Sequence, residues 1–312
     1  MVVREFGGIP EQAEMPTPDA HSGHMLIRLA AAGLTAYDRM LIDGLLADRL
    51  PHDFPMIPGI DGAGTVSAIG ADVTSFAVGD RVVGTFLAPR VGHGTFAEYT
   101  TAPADGTIAR IPESIGTVQA AALPTAGLTA QRLVDAAGLA AGQWVLINCA
   151  AGDVGTFTMQ LAAAAGARVI AVARPEDTDR MIRLGATRVV DYVEAPVVDQ
   201  IRQHHPEGVD VLFDPVSTPA TLTHLSRIVR TGGKVFSTVG AADAEALRAR
   251  GLRGGNVEPT GDAAELRRVL QRVVEGEMVV PVDIARPLVE LPQMLDAKFD
   301  VEDRGGKAVL VI

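Results

Sequence analysis

The chain has 312 residues, 47% of them hydrophobic, which is enough for two domains with substantial cores. Its 27 basic and 38 acidic side chains leave a net charge of −11 and form no Lys/Arg cluster able to follow a phosphate backbone, which argues against a nucleic-acid partner. A single cysteine, Cys149, excludes an intramolecular disulfide framework and the usual multi-cysteine zinc sites.

The first third is rich in β-branched residues, glycine and proline, with short strand-like runs at 25–29, 64–69 and 81–83. This pattern predicts a compact, mostly β unit. From about Ser114 longer helical segments alternate with apolar strands at 144–148, 168–173, 209–214 and 234–239, and a further strand is expected near 252–257. Such alternation predicts an α/β fold with a doubly wound parallel sheet. A helix over 263–274 ends near Gly276, and 306–312 returns to strand-like sequence that is expected to rejoin the N-terminal β unit. No internal repeat or low-complexity linker is evident, so the domains are expected to meet along a cleft able to hold a small molecule. No apolar run reaches transmembrane length, and MVVREFGGIPEQAEMP lacks the basic-then-apolar order of a signal peptide. No membrane partner is expected, and a cytoplasmic location is.

The most informative stretch begins at Val145. A short apolar strand leads into Ala150-x-Gly152-x-x-Gly155, then an alanine-rich helix from about 156 to 165, then the strand 168–173. This is a variant of the dinucleotide fingerprint, in which small residues let the backbone approach a pyrophosphate held at a helix N-terminus. Ala151, Gly152, Asp153, Val154 and Gly155 are the expected cofactor contacts; the bland alternative is a tight strand-to-helix turn with no ligand. At the end of the second strand Ala173 stands where an NAD-specific turn carries an acid. Arg174 follows, and its guanidinium matches a 2′-phosphate, which favours NADPH over NADH. The alternative is a solvated loop charge beside Glu176 and Asp177.

Several segments in order, IPGIDGAGTVSAIGADVTSFAVGDRVVG (57–84), GTFAEYTTAPA (94–104), AALPTAGLTA (121–130), the dinucleotide turn and LGATRVVDY (184–192), resemble the zinc-independent quinone oxidoreductase branch of the medium-chain dehydrogenase/reductases. The resemblance spans nearly the whole chain. It implies a GroES-like, mostly β catalytic domain over 1–116 and 259–312, a Rossmann domain over 117–258, and a homodimer. It also implies an NADPH-dependent reductase that transfers hydride to a quinone or an α,β-unsaturated carbonyl. Thr35, Ile60 and Thr125 occupy positions that hold catalytic zinc ligands in zinc-dependent relatives, and the four-cysteine lobe is missing, so no metal is expected.

By the same resemblance Thr35 stands where relatives carry an Asn facing nicotinamide and substrate. Tyr37 falls where zinc-dependent relatives have a relay hydroxyl, so it is either a proton donor or an aromatic wall of the pocket. Thr125 and Tyr192 match segments near the cofactor, and Val239 follows the last clear strand at the carboxyl end, where ligand crevices form; for Thr125 interdomain packing is the alternative, for Tyr192 a half-buried loop aromatic. Lys307 either reaches the cofactor cleft or faces solvent. Asp38 and Asp61 are read mainly as backbone-ordering acids. Two departures stand out. Cys149 replaces a frequent glycine and is expected to pack as a small apolar residue. Asp153 also replaces a frequent glycine, and its carboxylate either repels the pyrophosphate or favours the helix start. Two further function classes therefore stay open: a redox-inactive binding protein, and a fold recruited to isomerisation or cyclisation.

Overall fold

A computed structural model describes residues 1–87, 90–299 and 307–312; Ala88 and Pro89, within the segment 86–95 that the sequence suggests lines or flanks the pocket, and Gly306 beside Lys307 lie outside the described residues. The N-terminal part forms β1 (His24–Leu34), α1 (Ala36–Ile42), β2 (His52–Ile57), β3 (Asp61–Ile69), β4 (Arg81–Thr85), β5 (Val91–His93), β6 (Tyr99–Pro103) and β7 (Ile108–Arg110). Helices α2 (Thr117–Ala121) and α3 (Pro124–Ala137) follow. The middle part alternates β8 (Trp144–Ile147), α4 (Asp153–Ala164), β9 (Arg168–Ala173), α5 (Thr178–Arg183), β10 (Ala186–Asp191), α6 (Val197–His204), β11 (Val209–Asp214), α7 (Pro219–Leu225), β12 (Val229–Ser237), α8 (Ala244–Ala249) and β13 (Arg253–Asn256). The chain closes with α9 (Ala263–Val274), β14 (Val282–Pro287), α10 (Leu291–Phe299) and β15 (Lys307–Val311).

Two compact units result: Met1–Thr125 with Gly261–Glu275 and Val280–Ile312, and Ala126–Thr260 with Gly276–Val279. The first division falls beyond the sequence-based boundary at 116/117, because α2 packs on β1, β3 and β4 of the first unit. The short excursion at 276–279 has a local cause: the Gln160 side chain pairs with both the N–H and the carbonyl of Val279, at 2.7 and 3.0 Å.

In the first unit the strands run β14-β15-β1-β3-β4-β7, with β6 also paired to β1. Along β1, Met25, Ile27 and Leu29 point into one core with Val66 and Val82 while Arg28 is exposed, the period-two pattern of a half-buried strand. β3 crosses β1 so closely that a Cβ on Gly64 would lie 2.1 Å from the Arg28 carbonyl oxygen. The C-terminal strand rejoins this sheet as expected, with Ala31 opposite Val311 and Leu34 opposite Ala308.

The second unit holds a six-stranded sheet in the order β10-β9-β8-β11-β12-β13, every pair parallel. Counted from β8, this is the doubly wound order that places a ligand crevice outside the carboxyl ends of β8 and β11, where strand order reverses. Successive residues serve opposite faces. Leu146, Ile170 and Leu212 join one apolar cluster, whereas Val145, Ile147, Val169, Ala171, Val211 and Phe213 join the other. Burial on both faces explains why these strands read as continuous apolar runs.

Candidate active site

The dinucleotide turn leaves β8 at Asn148. Cys149 adopts φ +54°, a left-handed conformation that costs a non-glycine residue roughly 1–2 kcal/mol, which explains why glycine suits this position. Cys149 is half-buried in this turn. Gly152 is the N-cap of α4, with φ −76° and ψ 174°, and the helix starts at Asp153. The expected start near 156 was late because Gly152, with no side chain to signal a cap, takes the N-cap role. The first intrahelical bond runs from Thr156 N–H to the Gly152 carbonyl, so the amides of Asp153, Val154 and Gly155 precede the helical ladder. Those amides, with the positive end of the helix dipole, are the donor set a pyrophosphate needs. A Cβ on Gly155 would sit 2.2 Å from the Cys149 carbonyl oxygen, so only glycine lets α4 start this close to the turn. Asp153 is half-buried in the first helical turn, where its charge favours the dipole, and it is not the N-cap.

Two expected cofactor residues lie together. Ala173 and Asp191 are register partners at the ends of β9 and β10, and the residues that follow, Arg174 and Tyr192, are joined by a hydrogen bond from Arg174 Nε to Tyr192 Oη at 3.0 Å. Glu176 Oε1 lies 3.7 Å from the same guanidinium. Arg174 is thus an organised loop cation with a weak acidic neighbour. Val239, after β12, is 53% exposed, and its N–H donates to Ser237 Oγ at 3.2 Å. At the strand-order reversal, Asn148 Nδ2 donates to Asp214 Oδ2 and to Ser217 Oγ, both at 3.2 Å. Arg180, on α5, was missed by sequence reasoning: Nη2 donates to the Ala151 carbonyl at 2.9 Å. No motif marks it, because the contact depends on β9 lying beside β8.

The other residues of interest cluster in the first unit. Thr35 is the N-cap of α1; its N–H and hydroxyl both donate to Asp38 Oδ2, at 2.7 and 2.9 Å. Asp38 Oδ1 accepts from Ile60 N–H at 3.0 Å, so this acid does order the backbone of two segments. It is wholly buried. Burial pushes its carboxyl up to about 7, Asp61 acting in the same sense and the Thr35 hydrogen bonds and the Lys307 charge opposing. Asp61 is also buried and accepts from the Thr125 hydroxyl at 2.6 Å and from the Thr125 N–H at 3.0 Å. Lys307 is only 2% exposed, with Nζ 3.4 Å from the Leu34 carbonyl oxygen. A solvent-facing Lys307 is therefore corrected: pairing of β15 with β1 carries the ammonium under the end of β1. Tyr37 is half-buried against the cluster that contains Leu41, Phe96 and Leu310.

Comparison with known proteins gives this geometry a family. Residues 21–113 match the model of the alcohol dehydrogenase GroES-like domain, and residues 154–260 that of the zinc-binding dehydrogenases. A chloroplast envelope quinone oxidoreductase homolog of Arabidopsis thaliana is 37% identical over 188 residues, 58% of this chain and 56% of that protein; the chain thus spans little more than half the length of this relative. A quinone oxidoreductase of Mus musculus is 34% identical over 242 residues, covering 75% of this chain and 70% of that protein. The chain belongs to the quinone oxidoreductase branch of the medium-chain dehydrogenase/reductases. A mycobacterial protein of known structure, solved as a complex with NADPH, superposes on this member with a TM-score of 0.85 and 26% identity, over 100% of this chain and 99% of that one.

The zinc-binding description of one matching model sets a test for this quinone oxidoreductase relative. Thr35 and Thr125 commit their hydroxyl protons to Asp38 and Asp61, and Ile60 has no donor atom, so these three positions do not fit a zinc ion. Among the described residues no three His, Cys, Asp or Glu side chains group as a metal site requires. The dinucleotide fits better, since the glycine-shaped turn and the leading amides of α4 match its pyrophosphate. No helix among the described residues is long and apolar enough to cross a membrane.

Proposed function

We propose that this chain is an NADPH-dependent reductase that passes hydride to a quinone or an α,β-unsaturated carbonyl without a catalytic metal. The observation that carries the reading is the Arg174–Tyr192 pair, held at the ends of neighbouring strands in a sheet whose first turn is built for a pyrophosphate. Bound NADPH would supply the hydride. Gly152, Val154 and Gly155 would present backbone to its pyrophosphate, and Arg174, oriented by Tyr192, would pair with its 2′-phosphate. Ala151 and Val239 would contribute small or apolar contact surface. Acceptors that already stabilise added electrons suit a site with no Lewis acid, and hydrogen-bond donors then meet the developing oxygen charge.

In the first unit Tyr37 is the better proton donor or substrate-orienting group. The Thr35 hydroxyl already donates to Asp38 and serves chiefly to fix the start of α1, one residue before Ala36 and two before Tyr37. Thr125 is held by Asp61 and contributes shape more than a donor. A homodimer is part of the proposal, because β13 ends the six-stranded sheet and leaves an edge for a second copy.

One observation favours a second reading. The Asp153 carboxylate in the first turn of α4 opposes an anionic ligand, as a redox-inactive protein or one recruited to non-redox chemistry would tolerate. The deciding experiment is NADPH consumption in the presence of a chelator with a panel of quinones and enones. Acceptor-dependent oxidation supports the reductase; binding of NADPH without consumption supports the second reading.

A further inference from the structure

The dinucleotide turn is under strain, and something must hold it. Cys149 sits at φ +54°, and a non-glycine residue keeps that conformation only where its surroundings over-determine it. One restraint is internal: Gly152 N–H donates to the Cys149 carbonyl at 3.1 Å. Ala150 is held as well, its N–H by the Val172 carbonyl at 3.0 Å and its carbonyl by the Thr156 hydroxyl at 3.1 Å, and a further restraint comes from a side chain outside the fingerprint. Arg180 reaches from α5 to donate from Nη2 to the Ala151 carbonyl at 2.9 Å, and its Nε lies 3.3 Å from Asp177 Oδ1, an ion-pair distance within its own segment. Only 19% of the Arg180 side chain is exposed, so this is not a solvated surface charge.

The planar peptide between Ala151 and Gly152 is thereby gripped at both ends, its carbonyl by Arg180 and its N–H by the Cys149 carbonyl. A carbonyl oxygen free to rotate toward a pyrophosphate would repel it; one tied to a guanidinium cannot. We infer that Arg180 is a positioning residue that braces the dinucleotide turn and keeps the Ala151 carbonyl turned away from the pyrophosphate. The inference rests on the nucleotide-binding reading for its effect on affinity, but not for its effect on the turn. It assigns Arg180 a different task from Arg174: bracing acts on the part common to NADPH and NADH, whereas a 2′-phosphate reader distinguishes them.

The test uses Arg180→Met, Arg180→Lys and, as a control, the exposed Arg183→Met in the full chain. Calorimetric titration gives Kd for NADPH and NADH, thermal midpoints report folding, and an aromatic disulfide reagent reads the turn through Cys149, the only cysteine in the chain. Arg180→Met is expected to raise both Kd values by the same factor, about tenfold for one lost charge-assisted hydrogen bond. It should also speed Cys149 labelling, with Arg180→Lys recovering part of both effects and Arg183→Met resembling the parent. Unchanged affinities with unchanged labelling overturn the inference, and so does weakening of NADPH alone, which would make Arg180 a phosphate reader. If the parent binds neither nucleotide, the nucleotide reading fails by itself, and the labelling rates still decide whether Arg180 braces the turn. Should Arg180→Met not fold, faster labelling in a folded Arg180→Lys supports the brace and unchanged labelling refutes it.

Discussion

Arg174 Nε donates to Tyr192 Oη across 3.0 Å, tying the residue after β9 to the residue after β10. The bond gives a loop arginine a fixed direction after the second strand of the sheet, where nucleotide-binding folds of this type commonly read the adenosine ribose. Replacing Arg174 with Gln is expected to raise Kd for NADPH about tenfold or more while leaving NADH nearly unchanged, since one charge-assisted phosphate contact accounts for that factor. Tyr192→Phe removes the orienting hydroxyl and should cost NADPH only a few-fold. Paired calorimetric titrations check both; equal losses for the two nucleotides would remove Arg174 from specificity.

Asp153 occupies the first turn of α4. Asp153→Asn keeps its shape and removes its charge, so NADPH should bind several-fold more tightly, by an amount that shrinks as salt screens the interaction. Stability should fall by roughly 0.3–1 kcal/mol from the lost macrodipole term. Titrations at low and high salt, with thermal midpoints, measure the opposing effects; weaker NADPH binding by the variant would contradict the repulsion.

Two glycines of the same turn should respond differently to alanine. On Gly155 a Cβ meets backbone, 2.2 Å from the Cys149 carbonyl oxygen and 2.8 Å from Ala150 Cα, and nothing there yields without moving the helix. On Gly152 the nearest atom is Cys149 Sγ at 2.9 Å, the end of a side chain that can rotate. Gly155→Ala is expected to cost about 1–3 kcal/mol or more, and Gly152→Ala clearly less. Denaturant midpoints decide the order.

Asp38 supplies a pH signature. Its folded carboxyl is pushed up to about 7, chiefly by burial, from the ordinary value of 3.8 that the unfolded chain has. A raised folded pKa means that the native state holds the proton longer than the unfolded state. Its contribution to stability is therefore fully present below about 4 and is lost as pH rises through 7, a change of a few kcal/mol. Asp38→Asn should flatten this part of the stability profile between about pH 4 and 7, as urea midpoints across that range would show. A variant with the parent's slope would place the titration elsewhere.

Local signals made much of this legible in the sequence. The α9 bounds, 263–274, agree with the helix expected to end near Gly276, and a capping box of Asp262 and Glu265, bonded reciprocally, fixes its start. The apolar runs at 145–147, 168–173 and 209–214 announced a sheet buried on both faces. What stayed hidden depends on distant pairing. Lys307 reads as a polar residue beside a strand until β15 is laid against β1 and the ammonium comes under Leu34. Arg180 reads as one of several charges on a short helix until β9 lies beside β8. The commitment of Thr35 to Asp38 was also unmarked, because a Thr three residues before an Asp fits both a catalytic hydroxyl and a helix cap.

The proposed function turns on hydride leaving NADPH for a conjugated acceptor. The most direct measurement is turnover of an enone with NADPH carrying deuterium at the transferable position, in chelator, followed by mass analysis of the product. One deuterium bound to carbon in the reduced product is expected, with oxidised cofactor formed in equal amount. Product that forms without deuterium while the cofactor stays reduced would contradict it and establish non-redox chemistry on this fold.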